Sequence, residues 1–226
     1  MSGTPLVVCD DAARTFGCGA SAVVAVHGTS CTVARDDRIA IAGPSGSGKS
    51  TLLHLLAGLE QPTRGQLHWP GLAATAQERA REIGVVFQGP SLLPTLTVAD
   101  NAALPLDIAG IDSATRTRRV RSALDLLGVG ELAGNLPEEI SGGQAQRVAV
   151  ARVLAQRPRL ILADEPTGQL DRAAGQRLLD ALLDAADRLA AALVVTTHDR
   201  RVAARMHTRW TMHEGRLQTS TAAVAP

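Results

Sequence analysis

Eight consecutive residues, Gly43-Pro44-Ser45-Gly46-Ser47-Gly48-Lys49-Ser50, have the types and spacing of a phosphate cradle, G-x-x-x-x-G-K-[ST]. Gly46 and Gly48 free the backbone to turn its N–H groups inward around phosphate oxygens. A helix starting at the end of the loop adds its partial positive charge. Lys49 is placed to reach the β- and γ-phosphates and the Ser50 hydroxyl to ligate magnesium, with Thr51 next in line as a nucleotide contact. Lys49 is also the one lysine among 23 basic residues. At this position a compact ammonium on a flexible stem does what a broad planar guanidinium does poorly. The implied ligand is ATP with Mg2+.

A second element is Leu160-Ile161-Leu162-Ala163-Asp164-Glu165, an apolar run ending in two carboxylates. Side chains alternate along a strand, so Asp164 and Glu165 are expected to point differently. Asp164 can hold Mg2+, directly or through water, and Glu165 can act as general base toward an attacking water. The third element is Ser141-Gly142-Gly143-Gln144, set before a helical run through Val148, Ala151 and Leu154. Ser141 can cap that helix, and the glycines let a phosphate approach the backbone. One nucleotide rarely needs two such loops from one chain. The pair points to a site completed by another subunit.

The elements that position these residues can be read from periodicity. Ile39–Ala42 is a short apolar run entering the phosphate loop, and Leu52, Leu53, Leu55, Leu56 and Leu59 follow it at helical spacing, with Pro62 beyond. Ile83–Phe87, Leu160–Ala163 and Leu193–Thr197 have the length of buried strands. Four such runs with helices among them predict an α/β fold, a parallel sheet covered on both faces. Leu6–Val8 and Val23–Val26 read as short β structure. The region from Pro90 to Gln156 reads mostly helical, with Asp112 or Ser113 as one cap and Gly128 as a stop. The chain is read as a single domain, 1–226, with a helical subdomain inserted at approximately 90–157. The segment from Thr219 to Pro226 reads as a frayed tail.

Composition narrows the possibilities. The formal net charge is +1, so the strongly basic footprint of a nucleic-acid binder is absent, and no nucleic-acid partner is expected. Arg116, Arg118, Arg119 and Arg121 read as a solvated helix face. Cys9, Cys18 and Cys31 match no metal pattern and read as free thiols in a reducing compartment. No apolar stretch is long enough to span a membrane, and no secretory leader is expected.

Taken together, the motifs resemble those of the ABC (ATP-binding cassette) ATPases. Ser141-Gly142-Gly143-Gln144 with Gln146-Arg147 is similar to the family's signature. The phosphate loop, Gln88, the signature, Asp164-Glu165, Leu170-Asp171 and His198 fall in the family's order. The resemblance covers roughly residues 5 to 217. Phe87-Gln88, Ser91-Leu92-Leu93-Pro94, Asn101 and Asp164–Asp171 look most like the lipoprotein-release and macrolide-export branch.

The resemblance implies a P-loop NTPase core with a helical subdomain and a small antiparallel β subdomain. It implies a head-to-tail homodimer with two ATPs sandwiched between subunits, where Ser141 and Gly143 of one copy face the γ-phosphate held by Lys49 of the other. Gln88 would sense magnesium and link to a transmembrane permease. His198 would hydrogen-bond the γ-phosphate and orient the water, and Asp171 would couple the two sites. Phe16 stands where the family usually places a base-stacking Tyr. Other departures are Asp36-Asp37 for the usual Gly-Glu, Ile140 for Leu, a shorter stretch between Gly65 and Gln88, and a missing acid near Met206–Arg209. The resulting expectation is the ATP-hydrolysing subunit of an ABC transporter, peripheral on the cytoplasmic face of the membrane. The alternative is a regulatory or mechanical ABC ATPase that acts on a membrane complex without transport.

Overall fold

The computed structural model describes residues 3–220. Two antiparallel strands, β1 (Val7–Phe16) and β2 (Val23–Val33), lead into β3 (Arg38–Ala42) and α1 (Lys49–Ala57). Then come β4 (Arg64–His68), α2 (Ala76–Arg79) and β5 (Ile83–Val86). Three helices follow: α3 (Val98–Ile108), α4 (Ser113–Leu126) and α5 (Gly142–Gln156). The chain continues as β6 (Leu160–Asp164), α6 (Arg172–Leu189), β7 (Ala192–Thr197), α7 (Arg200–Ala203), β8 (Thr208–His213) and β9 (Arg216–Ser220). Thr219 and Ser220, the start of the expected frayed tail, close β9. The remainder of that tail lies outside the described residues.

Among the described residues the main sheet has the order β5-β6-β7-β3-β8-β9. It is parallel from β5 through β8, and β9 returns antiparallel. Every residue of β3, β6 and β7 is buried, as strands covered on both faces must be. This explains their unbroken apolar runs. One side of the sheet packs Leu52, Leu53, Leu55 and Leu56 of α1 against Ile39, Ile41, Leu160, Leu162 and Val194. The other packs α3, α4, α5 and α6 through residues such as Leu106, Leu124, Val150, Leu178 and Leu182. A second sheet, β2-β1-β4, is antiparallel throughout.

The helix ends follow from local chemistry. Asp112 accepts from Thr115 N–H at 2.9 Å and starts α4. Gly128 takes φ 61 just beyond its end. Arg116 is not simply solvated: it pairs with Asp107 at 2.6 Å and Asp100 at 3.1 Å, tying α4 to α3. Helix α1 begins at Lys49, before the first of the spaced leucines, Leu52. Gly48 at φ 96 turns the chain directly into the helix, so Lys49 and Ser50 form its first turn.

Candidate nucleotide site

The phosphate loop joins β3 to α1 and forms one wall of a cleft of about 730 Å³. Ser45, Gly46, Gly48, Lys49, Ser50 and Thr51 line it, together with Gln88, Glu165 and His198. The loop is held from outside. Gly215 N–H donates to the Ser47 carbonyl at 3.0 Å, and His27 N–H donates to the Gly215 carbonyl at 2.8 Å. The β8–β9 turn therefore locks the loop against β2. The close packing explains two glycines. A Cβ at Gly43 would stand 2.1 Å from the Met212 carbonyl oxygen, and one at Gly48 would stand 2.1 Å from that of Ala25.

Lys49 is buried, and its ammonium donates to the carbonyls of Gly43 at 3.0 Å and Pro44 at 2.9 Å. It also faces a Glu165 carboxylate oxygen at 3.6 Å. The Ser50 hydroxyl donates to Asp164 Oδ1 at 3.0 Å. The same oxygen accepts from the hydroxyl of Thr196 at 2.5 Å. Two hydroxyls and a buried carboxylate converging beside a phosphate loop are hard oxygen donors, the set Mg2+ prefers. The buried Ser47 Oγ has no hydrogen-bond partner among the described residues. It stands as a spare polar atom within the phosphate cradle.

Glu165 does not differ from Asp164 by strand alternation. The strand ends at Asp164, and Glu165 lies beyond it with φ 45, a left-handed conformation unusual for a glutamate. Thr196 holds it there: its hydroxyl accepts from Glu165 N–H at 2.9 Å, and its carbonyl accepts at 3.2 Å. The turn brings the Glu165 carboxylate within 2.9 Å of His198 Nδ1 while its other oxygen faces Lys49. Backbone strain of this kind costs on the order of 1–3 kcal/mol and persists where surrounding contacts enforce it. Thr196 is thus a positioning residue that motif reading missed. The available signal was a polar pair, Thr196-Thr197, closing an otherwise apolar strand.

Ser141 to Gln144 lie apart from this cleft and line none of it. Ser141 Oγ accepts from Gln144 N–H at 3.3 Å, and Gln144 accepts from Ser141 N–H at 2.7 Å, a reciprocal cap on α5. Gly142 faces open space, with nothing within 4 Å of a built Cβ. Asp171 caps α6, accepting from Ala174 N–H at 2.8 Å, and this bond lowers its pKa. Phe16 is 39% exposed, with the Arg14 guanidinium over its ring at 4.6 Å. It sits opposite Val23 in register, and Val23 and Val24 line the cleft where Phe16 does not.

Gln88 is carried by a loop that three polar side chains fasten, two of them, Gln146 and Asn101, buried. Gln146 Nε2 donates to the Phe87 carbonyl at 3.4 Å, and Arg152 donates to the Ser91 carbonyl at 3.1 Å and hydroxyl at 3.0 Å. Asn101, fully buried, exchanges hydrogen bonds with Leu93 and donates to the carbonyls of Leu96 and Thr97. Helix α5, which begins at the signature, therefore grips the segment that begins at Gln88.

A parallel sheet entering a phosphate loop, with a carboxylate pair at the end of β6 one strand removed from β3 and an added helical layer, defines a P-loop ATPase of the cassette type. The family model for ABC transporters matches residues 26–168. The lipoprotein-releasing system ATP-binding protein LolD of Legionella pneumophila (strain Lens) is 40% identical over 211 residues, covering 90% of this chain and 93% of its own. LolD of Shewanella denitrificans is 38% identical over 226 residues, covering 97% of each. Among solved structures, a dimeric bacterial ABC transporter cassette superposes with a TM-score of 0.87 at 31% identity, over 95% of this chain and 98% of that one. A post-hydrolysis cassette bound to ADP and Pi gives 0.86 at 30% identity, with the same shares. The chain belongs to the ABC transporter family, as one of its ATP-hydrolysing cassettes.

Proposed function

We propose that this chain is the ATP-binding and ATP-hydrolysing subunit of a transporter of the lipoprotein-release type, working on a separate transmembrane permease. The observation that carries this reading is the division of the chemistry between two places on one chain. The phosphate loop, Glu165 and His198 share one cleft, with Asp164 bonded to Ser50 behind it, while Ser141–Gly143 lie outside it and Gly142 faces open space. A second copy, docked head to tail, supplies its Ser141 and Gly143 to the γ-phosphate. The dimeric solved relative supports that arrangement.

Within the cleft, backbone N–H groups of residues 43–50 cradle the phosphates and Lys49 neutralises the β- and γ-oxygens. Ser50, Asp164 and Gln88 would hold Mg2+, which when bound supplies positive charge to the phosphate oxygens. Glu165 accepts a proton from the attacking water as that water's oxygen bonds to the γ-phosphorus and the β–γ bridge breaks. His198, already bonded to Glu165, keeps that carboxylate facing the water and can reach the γ-phosphate. Phe16 and Val23 offer an apolar seat for the base. Asp171 links one site to the other through the dimer.

Among the described residues no helix is long and apolar enough to cross a membrane. The docking surface is the groove beside Gln88 and the helical-lobe segment Ser91–Asn101. Leu93 is 44% exposed there, whereas Leu92 packs inward on the core. The test is reconstitution with a candidate permease, comparing ATPase rates. Stimulation is expected, and Leu93→Glu should abolish it while leaving basal turnover intact. Stimulated ATPase with no substrate released would favour the regulatory reading. No stimulation by the permease would overturn the transport reading.

A further inference from the structure

Cys9 on β1 and Cys31 on β2 stand directly opposite one another in the antiparallel register. Both are buried, at 2% and 9% exposure, and both are free thiols. Cys9 Sγ donates to the Thr29 carbonyl at 3.3 Å. Directly opposed residues in an antiparallel pair have Cα atoms about 4.5–5.5 Å apart. A disulfide accepts about 4.4–6.8 Å. The pair can therefore be bridged without moving either strand far.

Two further features assist closure. Strand β2 is an edge of its sheet, so it can shift toward β1 without disturbing the β1–β4 pairing. Strand β1 is irregular just after Cys9, where its register with β2 shifts before Ala12 and Asp11 takes φ 43. That irregularity lets the backbone beside Cys9 adjust. Cys18 is exposed on the connection between the two strands and belongs to neither partner's environment.

We propose that Cys9 and Cys31 are a redox-active dithiol, a modification site that a small peroxide converts into a cross-strand disulfide. The Cys9 thiolate attacks one peroxide oxygen, the O–O bond breaks, and a sulfenic acid forms on Cys9 with release of hydroxide. The Cys31 sulfur then attacks the Cys9 sulfur, the S–O bond breaks, and water leaves with the Cys31 proton. In total two thiols give two electrons and two protons to one hydrogen peroxide, yielding one disulfide and two waters. The facing Cys31 thiol lowers the Cys9 pKa, which makes Cys9 the attacking sulfur, while Cys9 and burial push Cys31 up. Closure links two strands whose far ends carry Phe16 and the cleft-lining Val23 and Val24, bracing the sheet beside the nucleotide.

The experiment uses the full chain carrying Cys18→Ser, which removes the exposed thiol. The folded protein is treated with hydrogen peroxide, quenched, unfolded in alkylating reagent and mapped by non-reducing peptide mass analysis. The expected result is one monomeric cross-link joining the Cys9 and Cys31 peptides, a mass loss of two hydrogens, and full reversal by dithiothreitol. Adding Cys31→Ser should abolish the cross-link and leave Cys9 to gain oxygen instead. Recovery of both cysteines as alkylated thiols would overturn the proposal, as would separate over-oxidation of each without a cross-link.

Discussion

The Ser50 hydroxyl and Asp164 Oδ1 lie 3.0 Å apart although 114 residues separate them in the chain. This bond joins the first turn of α1 to the end of β6, spanning β7, which lies between β6 and β3 in the sheet. It also places two oxygen donors together.

Removing either partner should therefore act on magnesium more than on nucleotide. Ser50→Ala and Asp164→Asn should each raise the Mg2+ concentration needed for half-maximal ATPase activity by about tenfold or more. Binding of metal-free ATP should change much less. Titrating activity against Mg2+ at saturating ATP checks this. Equal losses in metal and nucleotide affinity would assign both residues to packing.

Lys49 gives a chemically selective probe because it is the one lysine in the chain. An amine-reactive label can modify only Lys49 and the N-terminus. Mg-ATP should protect Lys49 and leave the N-terminus unprotected, as read by peptide mass mapping. Lys49→Arg should fail to restore turnover, since a guanidinium is too broad for a site in which the ammonium lies between two backbone carbonyls.

Acid sensitivity should arise partly in the helical layer. The Thr97 hydroxyl, and then the Arg116 guanidinium, hold the Asp100 pKa below its ordinary value. A carboxylate depressed in the folded state contributes stability that is present above its unfolded pKa and is lost as pH falls through the folded one. Asp100→Asn should thus lower the melting temperature at neutral pH, and the gap from wild type should close as the solution is acidified below the unfolded carboxylate range. A gap that persists unchanged at acid pH would mean the residue matters only for shape.

The sequence is most legible where chemistry demands fixed spacing. Gly43–Ser50 and Ser141–Gln144 are identifiable because backbone approach to an anion needs glycine at defined steps. The strands through Ile41, Leu162 and Val194 are identifiable because burial on both faces leaves no room for polar residues. What stayed hidden was long-range. Nothing local to Thr196 announces that its hydroxyl will bridge Asp164 and Glu165 from a neighbouring strand. Nothing near Glu165 forecasts φ 45, because the turn is imposed by β7. The facing of Cys9 and Cys31 likewise depends on a β1–β2 register that spacing alone does not fix.

Glu165 is the base and the site is dimeric in this reading, and one variant tests both halves. General-base assistance contributes about 10²–10⁴-fold to such reactions. Glu165→Gln keeps the shape of the side chain and removes its basicity. It should lower steady-state ATP hydrolysis by that factor while retaining ATP binding, and with Mg-ATP it should elute as a stable dimer that wild type forms only transiently. Hydrolysis at the wild-type rate, or an ATP-loaded variant that remains monomeric, would contradict the account.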